Sequence, residues 1–514
     1  MKHLLSAKSW LSFTSLLLAF SVILSSCGKD DVVVIPPPPV PVVKPNQVFF
    51  ALSGTSQLLR FNANAPEAAQ ATLAIMGLQA GERILSIDFR PATGELYGLG
   101  STNRLYVINT TTAAARVIGT TAFSPAISGA SVEMDFNPTV DRIRVVGNDG
   151  QNFRLNPETG LVVSSDGAIN GVMGASINGV AYTGNFAGTT ATVLYDIDVT
   201  TNKLYKQLPP NDGTLVSVGD LTVDPTGVGA FDINPTGSIA LAVLNVAGTN
   251  GLFQIDTLTG KATRLGGFPA GTTLNGIAIA TNPVAYATDA ANNLLILNPL
   301  SATAPVISKV LALPAGENVV GIDFRPVNGQ LYALTSASRL YTVNLSSGAV
   351  AAVGAAGSFT LAGASFGFDF NPTVDRIRVV SNTGQNIRLN PNDGTLAATD
   401  ATLNPGTPDV SAAAYTNNFA GTTTTALLVI DATTDILYTQ IPPNAGTLVP
   451  VGPLGVNITS ANGFDIGSTS NLAFGLFTVG TTTSLYSVNL TTGAAVKSFD
   501  FAQAVRGFTM GTGF

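Results

Sequence analysis

Asp135-Phe136-Asn137-Pro138-Thr139-Val140-Asp141-Arg142-Ile143-Arg144-Val145-Val146 recurs letter for letter at Asp369–Val380, so the chain is a tandem duplication. Phe136, Ile143, Val145 and Val146 are apolar strand positions. Asn137-Pro138 between them is turn chemistry, because Asn bonds its own backbone and Pro cannot continue a ladder. The block predicts a strand, a turn and a strand.

Outward from this block the pattern repeats. An apolar run ending in Asn or Asp, followed by small turn residues and another strand, occurs at Asn62, Asn109, Asn156, Asp198 and Asp256. It returns at Asn298, Asn344, Asn390, Asp431 and Asn489. Internal periods of about 40–50 residues signal propellers or solenoids, and that length suits a four-stranded blade. One unit shows all four strands: Ile84 to Phe89, Leu96 to Leu99, Arg104 to Ile108 and Arg116 to Ile118. The same layout returns at Val319 to Val353, with Asp323-Phe324-Arg325-Pro326 answering Asp88-Phe89-Arg90-Pro91. A parallel β-helix is the competing architecture, but its rungs are shorter and need no Pro-bearing hairpin.

Each copy begins with three strands of a blade and ends with one lone strand, Leu274 to Ala280 or Val505 to Met510. A terminal strand completing the first blade would pair edges otherwise left open. We therefore expect an all-β protein of two five-bladed propellers, residues 47–280 and 284–514. A single ten-bladed ring is the alternative, because Thr281-Asn282-Pro283 reads as the ordinary inner turn of a blade.

Composition supports short strands and tight turns. Only 11% of the 514 residues are charged and 53 are Gly, so we expect almost no helix after the leader. The net charge of −7, with no Lys/Arg cluster, argues against nucleic acid as a partner.

The leader is legible on its own. Lys2 and Lys8 precede an apolar run from Trp10 to Leu24, and Leu24-Ser25-Ser26-Cys27 resembles the lipobox of bacterial lipoproteins. That resemblance implies a signal peptide over 1–26, an acylated Cys27 and a membrane partner through the lipid. Gly28-Lys29-Asp30-Asp31 resembles the acidic tag that exports Bacteroidota lipoproteins to the outer face of the outer membrane. The Pro-rich stretch up to residue 46 is expected to be a polyproline II stalk.

The duplicated block, with Gly150-Gln151-Asn152-Phe153-Arg154-Leu155-Asn156-Pro157 and its partner Gly384-Gln385-Asn386-Ile387-Arg388-Leu389-Asn390-Pro391, resembles the bacterial family known as domain of unknown function 4394. Asn185-Phe186-Ala187-Gly188-Thr189-Thr190 and Asn418-Phe419-Ala420-Gly421-Thr422-Thr423 add to the resemblance. It covers both copies, implies a bacterial envelope address and carries no activity.

Two sets of residues are candidates for a site. Asp88, Asp135 and Asp232, with Asp323, Asp369 and Asp465 in the second copy, precede the inner turns; converging on a ring axis, they suit a cation or a polar ligand. Read locally, each accepts N–H bonds from its own turn. Arg142 and Arg144, repeated as Arg376 and Arg378, share a strand face and suit a carboxylate or sulfate fork, or else pair with Asp141 on a solvated face. The Asn/Asp turns lack the ligand pattern of an EF-type loop and read as hairpin chemistry.

The only His is His3 and the only Cys is Cys27, which removes His-dependent triads, thiol nucleophiles and the usual zinc sites from the mature chain. Glu95, Glu133 and Glu158 become Gln330, Gly367 and Asn392 in the second copy, and only Glu82 keeps its acid, as Glu317. These absences favour a non-enzymatic binding or scaffold module for extracellular glycans or proteins, with no cofactor or metal. A carboxylate-dependent glycoside hydrolase is the alternative.

Overall fold

The computed structural model describes residues 42–54, 56–301 and 307–514. The leader, Cys27 and the Pro-rich run to residue 41 lie outside the described residues. Among the described residues every regular element is a strand, apart from two single-turn 3₁₀ segments at Pro210–Asp212 and Pro443–Ala445. The strands form ten four-stranded antiparallel sheets, five from each copy.

The duplicated block folds as its residues dictate. Val132–Asn137 pairs with Arg142–Gly147, Phe136 opposite Ile143 and Asp135 opposite Arg144. Asn137 closes the turn by accepting bonds from the Thr139 N–H (3.0 Å) and hydroxyl (2.7 Å). Asp141 completes it at φ 50°, a left-handed conformation that Asp tolerates better than most residues. The recurring Asn/Asp positions are turn-formers too. Asn109 accepts from Thr111 and Thr112, Asn156 from Glu158 and Thr159, and Asn344 from Ser346 and Ser347.

Ring closure is decided by two pairings. Leu274–Ala278 joins Val48–Ser53, with Ala51 opposite Ile277, and becomes the innermost strand of that sheet. Val505–Met510 joins Ala285–Asp289 in the same way. The turn at Thr281-Asn282-Pro283 therefore does not close a blade: the strands on its two sides belong to different sheets. One ten-bladed ring would require them to pair with each other. In the first copy the innermost strands Leu274–Ala278, Ile84–Phe89, Val132–Asn137, Ile177–Tyr182 and Pro225–Ile233 neighbour one another in a closed cycle, and the second copy repeats the cycle. The fold is a double propeller.

The rings share a packed contact. Ala92, on an inner turn of the first ring, lies in one apolar cluster with Val284, Tyr286, Ile296 and Phe324 of the second. The Tyr286 hydroxyl donates to the Ala92 carbonyl at 2.8 Å, and the Gly513 N–H to that of Thr93 at 2.8 Å. Here glycine is obligatory, since a Cβ on Gly513 would stand 2.0 Å from the Gly94 carbonyl carbon. Gly513→Ala should destabilise the protein by about 1–3 kcal/mol through overpacking, and Gly227→Ala, where a Cβ meets nothing within 4 Å, should change it by less than about 0.5 kcal/mol. Urea denaturation of the two variants checks this.

Candidate functional site at the ring axes

In each ring the three predicted aspartates come together. One carboxylate oxygen from each of Asp88, Asp135 and Asp232 lies within 4.8 Å of the others, and so do those of Asp323, Asp369 and Asp465. All six residues are at most 2% exposed. Their positions follow from period-two alternation, which turns the same face of every innermost strand toward the axis.

Their hydrogen bonds are not confined to their own turns. Asp88 accepts the N–H of Phe89 beside it and that of Phe136 in the next sheet, both at 2.7 Å. Asp232 accepts from Ile233 and from Ile279, both at 2.5 Å, and Asp135 from Tyr182 at 2.9 Å. The second ring repeats the scheme, Asp323 reaching Phe370, Asp369 reaching Tyr415 and Asp465 reaching Met510. Each carboxylate thus ties one blade to its neighbour. Burial raises the pKa of all six, to about 7 for Asp232 and Asp465. For Asp88, Asp135, Asp323 and Asp369 the charge of a neighbouring aspartate adds to it.

The arginines sit elsewhere and have protein partners. Arg144 is buried between two blades and donates to Tyr182, Asn152, Asp166 and Asn211 at 2.6–3.0 Å. Arg378 repeats this with Tyr415, Asn386, Asp400 and Asn444. Arg142 and Arg376 each donate to the carbonyl of the preceding Asp, at 2.7 and 2.8 Å. The expected pairing with Asp141 is corrected: its carboxylate accepts from Arg90 of the preceding blade, at 2.9 and 2.5 Å. Arg144 and Arg378 are buried with their guanidinium donors engaged within the fold, whereas Arg142 and Arg376 are half-buried.

Above the aspartates the two rings differ. The first opens into a cavity of about 290 Å³ lined by Arg83, Ser101, Ser131, Glu133 and Asn275 among others. Glu133, two residues before Asp135 on the same strand face, is 6% exposed and accepts from Ser86 at 2.8 Å. Burial, with the charges of Asp232 and Asp88, holds its carboxyl well above the ordinary range. The Asn275 side-chain carbonyl is buried with no hydrogen-bond partner among the described residues. In the second ring a cavity of about 10 Å³ lies against Gly321, Gly367, Gly463 and Gly507 on the innermost strands. Arg506 stands where the first ring has Asn275, and its guanidinium reaches Ala290, Asn292 and Asn318 at 3.3–3.4 Å. A long side chain thus replaces a short one at this position.

Asp196 was not singled out by the sequence. It is fully buried, neither carboxylate oxygen has a hydrogen-bond partner among the described residues, and burial pushes it up to about 8, with Arg144 partly opposing. Its signal was present, since the matching position in Leu427-Leu428-Val429-Ile430-Asp431 is apolar.

With this geometry in place, the family can be stated. The model of the family described as domain of unknown function (DUF4394) matches residues 57–278 and again 293–509. The chain belongs to that family. Both DUF4394 copies thus fall on the two rings, and the family's description assigns them no activity. No curated protein matches the chain. Among solved structures it is similar to the extracellular domain of the putative one component system BT4673 from B. thetaiotaomicron, at 12% identity and a TM-score of 0.25. The match covers 89% of this chain and 59% of that one.

Asp196 gives a pH test. A carboxyl raised from 3.8 to about 8 contributes stability fully present below pH 4 and lost as pH rises through 8. Asp196→Val, which installs the second ring's residue, should remove that loss. The variant's advantage over the parent should grow from pH 5 to pH 9 and reach several kcal/mol, since each tenfold change in proton affinity is worth about 1.4 kcal/mol. Thermal unfolding across that range measures it.

Proposed function

We propose that the protein is a non-catalytic recognition module of the bacterial envelope, binding an extracellular glycan or protein group in the axial mouth of its first ring. The observation that carries this reading is the polar cavity of about 290 Å³. It combines a buried acid, Glu133, an unsatisfied carbonyl, Asn275, and an exposed guanidinium, Arg83. Ligand sites are concave and place a few polar groups against an otherwise rigid wall, and propeller strands supply such a wall. The hydrolase reading keeps one point in its favour, the raised acid Glu133. Against it, the aspartates nearby are sealed and engaged by backbone N–H groups, which leaves no second carboxylate free to attack or to activate water.

Asn275→Arg imports the second ring's residue and puts a long side chain into the wall of the cavity. Binding to a panel of immobilised glycans and surface proteins should be lost in Asn275→Arg while its unfolding midpoint stays within a few degrees of the parent's. Equal binding by both proteins would remove the mouth as the site. Glycan hydrolysis by the parent, abolished in Glu133→Gln, would replace the binding reading with the enzymatic one.

The address rests on the leader. Cys27 is the proposed acylation site, with the chain surface-exposed on the outer membrane. Cys27→Ser should move the protein from the membrane to the soluble fraction, and protease added to whole cells should remove the parent.

A further inference from the structure

We infer that the second ring binds a divalent cation of the calcium class on Asp323, Asp369 and Asp465, with the Thr509 hydroxyl as a fourth oxygen. The three carboxylate oxygens lie within 4.8 Å of one another, the span of two Ca–O bonds of about 2.4 Å. All three residues are at most 2% exposed, and no ion pair neutralises them among the described residues. Uncompensated buried charges cost several kcal/mol each, so something must neutralise them, either protons or a cation.

Two observations favour the cation. Asp323 accepts backbone N–H bonds from Phe324 and Phe370, and Asp465 from Ile466 and Met510, one on each oxygen. Donors on both oxygens favour the ionised carboxylate, and Asp323 Oδ2, with its single donor, keeps a second lone pair. Independently, Asp369 has a buried Oδ2 with no hydrogen-bond partner; only its Oδ1 is engaged, by Tyr415. An unsatisfied buried carboxylate oxygen beside two others is a place for a hard cation.

Thr509 distinguishes the second ring from the first. It is fully buried and donates to Asp323 at 2.8 Å, at the position where the first ring has Ala278. Gly321, Gly367, Gly463 and Gly507 on the innermost strands line a cavity of only about 10 Å³, and all three aspartates are buried. The site is enclosed and built of oxygen, which selects calcium, magnesium or manganese over thiophilic metals.

The test is elemental analysis of the purified full-length protein after dialysis against micromolar calcium, with thermal unfolding at pH 8 in calcium and in EDTA. The parent should retain at least one divalent ion per chain and lose about 3 °C or more of its midpoint in EDTA. Asp369→Asn should retain one ion fewer and respond less to EDTA, while Asp135→Asn, in the first ring, should leave the second-ring ion in place. Should Asp369→Asn fail to fold, Thr509→Ala substitutes for it and should hold the ion less tightly. A parent with no bound ion and the same midpoint in calcium and EDTA would overturn the assignment, as would an Asp369→Asn variant retaining as many ions as the parent.

Discussion

The structure depends on a backbone N–H of one blade finding a carboxylate of the blade before it. A propeller's innermost strands are neighbours without being ladder partners, so no regular hydrogen bonding runs from blade to blade around the axis. Asp88, Asp135 and Asp232 supply that bonding in the first ring, and their duplicates supply it in the second. The arrangement concentrates three buried acids at each centre, and the fold must therefore carry a charge problem there. Connectivity and function meet at that point: the groups that hold the ring together also define the chemistry of its axis.

Much of the fold was legible because the chain repeats itself. The Asn-Pro turn and the alternating Ile143, Val145 and flanking polar residues specify strand, turn and strand with no tertiary information. Closure was harder to read, since Thr281-Asn282-Pro283 has the chemistry of an inner turn and only long-range pairing shows that it separates two sheets. The aspartates were found from their place before the turns. Their bonds were not, because Asp88 and Phe136 are 48 residues apart and nothing local marks the partner.

The arginines illustrate the opposite error. Two arginines alternating on a strand suggest a fork at the surface, but Arg144 is buried and its partners Asp166 and Asn211 come from segments the pattern does not connect. The difference between the rings was equally hidden. Asn275 and Arg506 stand at matching positions of similar strands, and only the packed structure shows the first lining a cavity and the second reaching across to Asn292 and Asn318.

The closure of the first ring also has a mechanical meaning. Its first strand, Val48–Ser53, is held on both sides, by Gln57–Asn62 and by Leu274–Ala278. A pull along that strand would load both ladders in shear, so several hydrogen bonds would have to fail together. Had this strand been an edge, the same pull would have met one ladder instead of two. The late strand that completes the ring thus clamps the very segment through which force would enter.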